Sequence, residues 1–319
     1  MDLQTLQKRA SIIKHAHSFF DSKNYLELDT PLLSSDLIPE SCLEVFETSR
    51  IYPAASIKKS RSLYLIPSPE IWMKKIIARH RINVYQICKC FRNGESSGHL
   101  HNSEFTMIEY YTMDADYMDS LTITEELFMY LAKKEDVPFP APPFDRITVA
   151  QAFEKYAGFD LFEAAGNNSL EEQAKKLGLE PMPGMTVGEL YDLIFIHSVE
   201  PFLKTEKPVA LLDYPAFVPC LAKKAHNKHT VERWELYYNG IELANCFSEE
   251  TDPQAVKNFF ISEEKEKRET ALVQHKVDHN YWKIFKDFPR CSGVAMGLDR
   301  LIMALTGRLT IDSVTITDS

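Results

Sequence analysis

The chain has 319 residues, 45% hydrophobic and 26% charged, a balance that excludes disordered and collagen-like structure and leaves ample material for a core. Lys plus Arg is 36 against 46 Asp plus Glu, a net charge of −10, which argues against a protein whose main task is to neutralise nucleic-acid phosphates. The first twenty residues carry no apolar run suited to a secretory signal, and no stretch approaches the ~18 apolar residues of a membrane span. With six scattered cysteines and no C-x-x-C pair, a reducing, cytoplasmic location is expected.

Residues 5–20 read as an amphipathic helix, with Leu6, Ile13 and Phe20 at seven-residue steps. A short extended piece, Tyr25 to Leu28, runs into Asp29-Thr30-Pro31. Ser68-Pro69-Glu70 opens a second helix, with proline in the first turn where its missing N–H costs nothing. Lys74, Lys75, Arg79 and Arg81 in that helix read as a solvated basic face. Residues 84–92 and 104–111 read as strands joined by a polar loop from Asn93 to Ser103. Alternation places Gln86, Cys88, Cys90 and Arg92 on one face, and Phe105, Met107, Glu109 and Tyr111 on one face of the partner. Polar and aromatic side chains on a shared face suggest a binding floor. Cys88 and Cys90 read as a buried pair.

The middle third is helical. Thr148-x-x-Gln151, Ser169-x-x-Glu172 and Thr186-x-x-Glu189 all fit capping boxes. Val209 to Leu212 is a short strand. Asn239-Gly240 between two β-rich runs is a hairpin signal, because a type I′ turn needs positive φ at both central residues. Residues 253–273 read as a charged helix, and the run from Cys291 to Gly307 as a glycine-bearing strand entering a helix.

Chemistry-bearing residues gather in four places: Ser68 to Glu70, Arg92 to Phe105, Glu242 to Glu249, and Gly297 to Arg300. Two arginines and separated carboxylates over a sheet suit a nucleotide with magnesium, since the guanidinium fork matches phosphate oxygens and carboxylates hold the metal. P-loop, Rossmann, nucleophile-elbow and H-E-x-x-H patterns do not occur.

FRN…HNSEFTMIEYY, then GIELANCF, then GVAMGLDRLIM, resemble the three ordered motifs of class II aminoacyl-tRNA synthetases, in the lysyl branch. Within it the chain resembles the short paralogues that ligate lysine-type amino acids to elongation factor P. The resemblance runs from about residue 5 to the C-terminus. It implies an α+β fold, a mostly antiparallel sheet flanked by helices, as a single catalytic domain over 1–319 with a helical insertion at about 145–208. An anticodon-reading barrel needs on the order of 100 residues, and Asp29-Thr30-Pro31 already looks like the end of motif 1, so no such domain and no anticodon recognition are expected. The resemblance also implies ATP and Mg2+, a homodimer built on motif 1, lysine or (R)-β-lysine as the amino acid, and an elongation factor P lysine ε-amine as acceptor.

Roles follow the matched positions. Arg92 matches the α-phosphate arginine, Glu95 the reader of the adenine amine, Phe105 the aromatic under adenine, and Arg300 the arginine on its other side. Asn93, Gly94, Asn102, Leu243 and Gly297 match further ATP contacts. Glu242 and Glu249 match magnesium carboxylates. Ser68, Pro69, Glu70, Tyr111 and Glu249 match amino-acid contacts, Glu109 is a further candidate for a substrate ammonium, and Ala295 stands where lysyl-tRNA synthetases usually carry glycine. Strict alternation puts Glu242 and Glu249, seven apart, on opposite faces, so a bulge after Cys246 is expected. Gly94, His99, Ser103 and Cys246 depart from the usual motif residues. A truncated synthetase charging another acceptor and a non-catalytic regulatory paralogue are the rival readings.

Overall fold

The structure, a computed structural model, describes residues 1–52, 60–94 and 98–316. Helix α1 (Leu3–Ser22) starts at Asp2, whose carboxylate accepts the Thr5 N–H at 2.7 Å. Its buried stripe is Ile12, Ala16, Phe19 and Phe20. Strands β1 (Leu26–Glu27), β2 (Leu33–Ser34), β3 (Glu47–Ile51) and β4 (Ser60–Leu65) follow. Helix α2 (Glu70–His80) then leads into β5 (Val84–Phe91) and β6 (Glu104–Met113), the two expected strands. Helix α3 (Tyr117–Glu135) opens on an Asp116/Asp119 capping box. Strand β7 (Asp145–Thr148) is followed by α4 (Val149–Ala152), a π-helical turn (Phe153–Ala157), α5 (Leu161–Gly166), α6 (Leu170–Lys176) and α7 (Val187–Ser198), before β8 (Val209–Leu212). Strands β9 (Arg233–Tyr238) and β10 (Ile241–Ser248), helix α8 (Pro253–Thr270), strand β11 (Cys291–Gly297) and helix α9 (Leu298–Thr306) complete the order.

Eight strands form one sheet in the order β1-β5-β6-β11-β10-β9-β8-β7, and β2-β4-β3 form a small second sheet. Among the described residues only β1/β5 and β7/β8 pair in parallel. The β9–β10 connection is the hairpin expected at Asn239-Gly240, with φ of 52° and 77°. Two of the three capping boxes form, at Thr148 and Thr186. Ser169 does cap α6 by position, but its side chain makes no capping bond; its hydroxyl donates instead to the Ala164 carbonyl.

The large sheet has two unlike faces. On one, Tyr110, Ile108, Val294, Met296, Ala244 and Cys246 pack against α1, α3 and α9 through Phe20, Phe128 and Leu301. The larger aliphatic and phenyl side chains among them (Ile108, Val294, Met296, Leu301, Phe20 and Phe128) each contribute roughly 1.5–3 kcal/mol on leaving water. The alternate residues of the same strands face the other way, and they build the site.

Candidate active site

The β5/β6 ladder pairs Gln86 with Glu109, Cys88 with Met107, and Cys90 with Phe105. The β6/β11 ladder pairs Tyr111 with Gly293, Glu109 with Ala295, and Met107 with Gly297. The β10/β11 ladder adds Asn245 opposite Ala295 and Phe247 opposite Gly293. Four adjacent strands, β5, β6, β11 and β10, therefore lay matched rows on one face, and the floor expected from Phe105, Glu109 and Tyr111 forms. At ~3.3 Å per residue the row from Phe105 to Tyr111 spans ~20 Å. Two adjoining cavities occupy it, and Arg92, Met107, Asn245 and Ala295 line both.

The first cavity is lined by Arg92, Asn102, Phe105, Glu242, Leu243, Gly297 and Arg300. The Arg92 guanidinium lies over the Phe105 ring, 5.2 Å from its centre. Arg92 Nε is buried and has no hydrogen-bond partner among the described residues. Arg300 donates from Nη1 to the Glu242 carbonyl at 2.8 Å, and its Nη1 lies 3.8 Å from the Glu242 carboxylate. Desolvation in the trench and Glu235 push the Glu242 carboxyl up to about 7, against Arg300 and Arg92. Its side chain is still 40% exposed, so water screens part of that push. Behind this cavity the buried Asp299 accepts the Thr106 N–H at 2.8 Å and meets Arg9 at 2.6 Å, tying α9 and α1 to β6.

The second cavity is a well of carboxylates: Glu40, Glu70, Glu109 and Glu249, beside Ser68, Tyr111 and Gly293. Glu109 accepts from the Tyr111 hydroxyl at 2.7 Å, and its other oxygen is buried without a hydrogen-bond partner among the described residues. Burial and Glu70 hold its carboxyl well above the usual range. Burial, with Glu70 adding to it, also pushes Glu249 up to about 7 against the pull of Lys74. Gly293 is required here, because a Cβ on it would sit 2.5 Å from Tyr111 Cε1 and run into the Glu249 carboxylate.

Lys74 is the largest departure from the sequence reading. It is wholly buried, not part of a solvated face. Its ammonium pairs with Glu70 at 2.5 Å and Glu249 at 2.7 Å. Desolvation opposes its charge, but the two carboxylates outweigh that and raise it well above the usual lysine range. The basic cluster therefore splits, and its first member belongs to the well.

The bulge that unites Glu242 and Glu249 on one face also lies elsewhere than expected. The β9/β10 register slips between Glu242 and Ala244, so the extra residue is Leu243 rather than one after Cys246. One inserted residue reverses the alternation, which brings Glu242 onto the face of Asn245, Phe247 and Glu249. The pair nevertheless lines different cavities, and Glu249 is already held by Lys74. Among the described residues no three His, Cys, Asp or Glu side chains converge as a metal site. Magnesium arriving on phosphates needs only one or two carboxylates. Glu242, open at the first cavity, fits that need, whereas Glu249 in its ion pair does not share the cavity.

Pro69, Asn93 and Gly94 line neither cavity. Asn93 donates its N–H to the Glu44 carbonyl at 3.0 Å and accepts from Gly94 N–H at 2.9 Å, so both serve to seat the loop. Glu95 lies outside the described residues. Sequence reasoning did not single out Glu40, Asn245, Phe247 and Gly293 as lining residues, although Asn245 and Phe247 stand in the GIELANCF run; Met107 it placed on the β6 face without giving it a role.

A class II synthetase core and its bipartite trench are thus in place, and comparison with known proteins agrees. The family model for class II tRNA synthetases of the D, K and N type matches residues 2–316. The chain belongs to that family, whose members are ATP-dependent ligases. It is 35% identical over 314 residues to the elongation factor P–(R)-β-lysine ligase of Avibacterium paragallinarum, covering 98% of this chain and 94% of the relative. It is 34% identical, over the same shares, to the ligases of that name from Histophilus somni strains 2336 and 129Pt.

Proposed function

We propose that the protein adenylates lysine or (R)-β-lysine with ATP and transfers it to the ε-amine of a lysine on elongation factor P. The observation that carries this reading is the shared wall. Arg92, Asn245 and Ala295 line both the nucleotide-suited cavity and the carboxylate well, so a carboxylate from one side meets a phosphate from the other. The names of relatives matched over 94% of their length support the acceptor.

In the first step the substrate carboxylate oxygen attacks the α-phosphorus, and the bond to the pyrophosphate leaving group breaks. Arg92 stabilises the charge that develops on the α-phosphoryl oxygens, with its unpartnered Nε free to donate. Phe105 and Arg300 hold the base between them, and Glu95 reads its amine; Asn102, Leu243 and Gly297 contact the rest of the nucleotide, with Asn93 and Gly94 seating the start of the motif 2 loop. Glu242 would hold a magnesium ion, which would supply positive charge to offset that of the phosphates. Ser68, Pro69, Glu70, Glu109, Tyr111 and Glu249 form the amino-acid side, with Ala295 at the junction. In the second step an amine attacks the acyl carbon, AMP leaves, and an amide forms as the amine sheds its proton. No protein nucleophile is needed, and alignment supplies much of the rate. Leu26, Leu32 and Leu33 lie exposed around Asp29 to Pro31, which supports a homodimer through that region.

The test is ATP–pyrophosphate exchange with a panel of amino acids, followed by mass analysis of elongation factor P. Exchange led by (R)-β-lysine or lysine, and one aminoacyl mass added to the factor, is the expected result. Exchange with transfer only to RNA moves the protein to the truncated-synthetase reading. No exchange with any candidate refutes the proposal.

A further inference from the structure

Cys88 and Cys90 stand two residues apart on β5, and the cross-strand register sets them opposite Met107 and Phe105. They belong to the sheet face that carries the site, although neither lines a cavity. The sequence reads them as a buried pair, but the structure divides them: Cys90 is buried and Cys88 is half-buried. Their sulfurs lie 3.9 Å apart. Among the described residues β1 pairs with β5 only at Val84 and Tyr85. Beyond Leu28 no strand pairs with that edge, and the next backbone contact there is Phe91 N–H donating to the Ile66 carbonyl at 2.9 Å. Cys88 thus sits on an unpaired stretch of sheet edge beside the nucleotide-suited cavity.

The two thiols are unlike. The hydrogen bond from Cys90 holds the Cys88 thiol below the usual cysteine range against burial, with Gln86 helping. The same bond, burial and the Glu109 carboxylate push Cys90 well above that range. The thiolate is the attacking species in sulfur exchange, so the half-exposed member is set to react first and the buried one to follow. Among the described residues no other two cysteine sulfurs are in contact. Cys246 and Cys291 are buried, and burial raises their thiols well above the usual range. The exposed Cys42 is pushed up to about 11 by lost hydration and by Glu40.

Two residues of a strand span ~6.6 Å, within the upper limit of the Cα separation that a disulfide bridges, so a bond can close inside β5 by tightening its pleat. We propose that Cys88 is a site of reversible modification by low-molecular-weight disulfides, and that the reaction ends in a Cys88–Cys90 bond that weakens ATP binding. The Cys88 thiolate attacks one sulfur of the small disulfide, whose S–S bond breaks, and one thiolate leaves and takes up a proton. Cys90 then gives up its proton and attacks the Cys88 sulfur, expelling the second thiolate. Two protein thiols are oxidised, and their two electrons reduce one small disulfide to two thiols. Cys90 lies opposite Phe105 and two residues before Arg92, whose guanidinium covers the Phe105 ring at 5.2 Å. Drawing the sulfurs from 3.9 Å to bonding distance shifts β5 just before one member of that stack and opposite the other. The effect on ATP rests on the functional reading above; the bond itself does not.

The experiment treats the reduced protein with oxidised glutathione. It reads intact mass with peptide mapping, ATP affinity by calorimetry, and ATP–pyrophosphate exchange. The chain should lose two hydrogens, mapped to Cys88 and Cys90. The Kd for ATP should rise about tenfold or more, the equivalent of one hydrogen bond to a charged group, and dithiothreitol should restore it. Cys88→Ser should bind ATP within about twofold of wild type and lose its sensitivity to the reagent, while Cys90→Ser should stop with one glutathione on Cys88. A pair left as thiols, a glutathione retained on wild-type Cys88, a bond to a second chain, or an internal bond with ATP affinity unchanged each overturns the proposal and leaves the functional reading standing. Reduced wild type that binds ATP but exchanges with no amino acid refutes the functional reading alone, and reduced wild type that binds no ATP overturns both.

Discussion

Replacing Lys74 with methionine tests the electrostatics of the well. The side chain is wholly buried and its two partners lie at 2.5 and 2.7 Å. Methionine keeps most of the volume and removes the charge, leaving Glu70 and Glu249 to repel each other. Breaking a buried pair in this way costs ~3–5 kcal/mol. At about 2 °C per kcal/mol for a chain of this length, the Tm should fall by ~6–10 °C. The deficit should depend on pH. In wild type Glu249 already titrates at about 7, and without Lys74 its folded value climbs further. A carboxyl raised above its unfolded value keeps its proton in the folded state, so stability is lost as pH rises. At a folded value of about 7 wild-type Glu249 already holds about half a proton at pH 7, so between pH 8 and pH 7 the variant holds at most about 0.7 proton more on average, and its deficit should shrink by up to ~1 kcal/mol on acidification. Differential scanning fluorimetry or calorimetry at the two pH values reads this directly. A deficit equal at both values, or larger at pH 7, refutes the account of Lys74 as the counter-ion of the pair.

Other perturbations follow from the same geometry. Arg92→Ala should lower pyrophosphate exchange about a hundredfold or more with the Tm little changed, since the loss falls on transition-state charge; near-normal exchange removes Arg92 from the site. Gly293→Ala puts a methyl 2.5 Å from Tyr111 Cε1. Overpacking of that kind costs ~1–3 kcal/mol, and amino-acid KM should rise while ATP KM, set at the far cavity, holds; a variant with both constants unchanged contradicts the placement of Gly293. Glu40→Gln should gain stability relative to wild type as pH goes from 5 to 8, because wild type loses stability while Glu40 ionises towards its folded value of about 7. Urea titrations across that range check the sign, and a relative loss on raising pH contradicts it.

How much of this was legible in the chain follows from the range of each interaction. The β6 face of Phe105, Glu109 and Tyr111, the Asn239-Gly240 hairpin and the boxes at Thr148 and Thr186 were readable, because strand alternation, positive φ and i,i+3 capping are decided within a few residues. The ordered synthetase motifs were readable because each is a short run on one element or two consecutive ones: β5 and β6, then β10, then β11 and α9. The box at Ser169 failed because Ala164, on the preceding helix, drew its hydroxyl away. The rest needed tertiary structure. Lys74 looks like any surface lysine until β10 brings Glu249 to it from 175 positions along the chain. Glu40 reads as a loop glutamate until α8 supplies Glu263 and Lys267 from more than 220 positions away. The bulge at Leu243 is set by how β10 pairs with β9, and a single slipped residue there decides which face Glu242 joins. Local chemistry determined the strands and their faces; only folding decided which charges meet, because the energy of a buried charge depends on partners that sequence distance does not reveal.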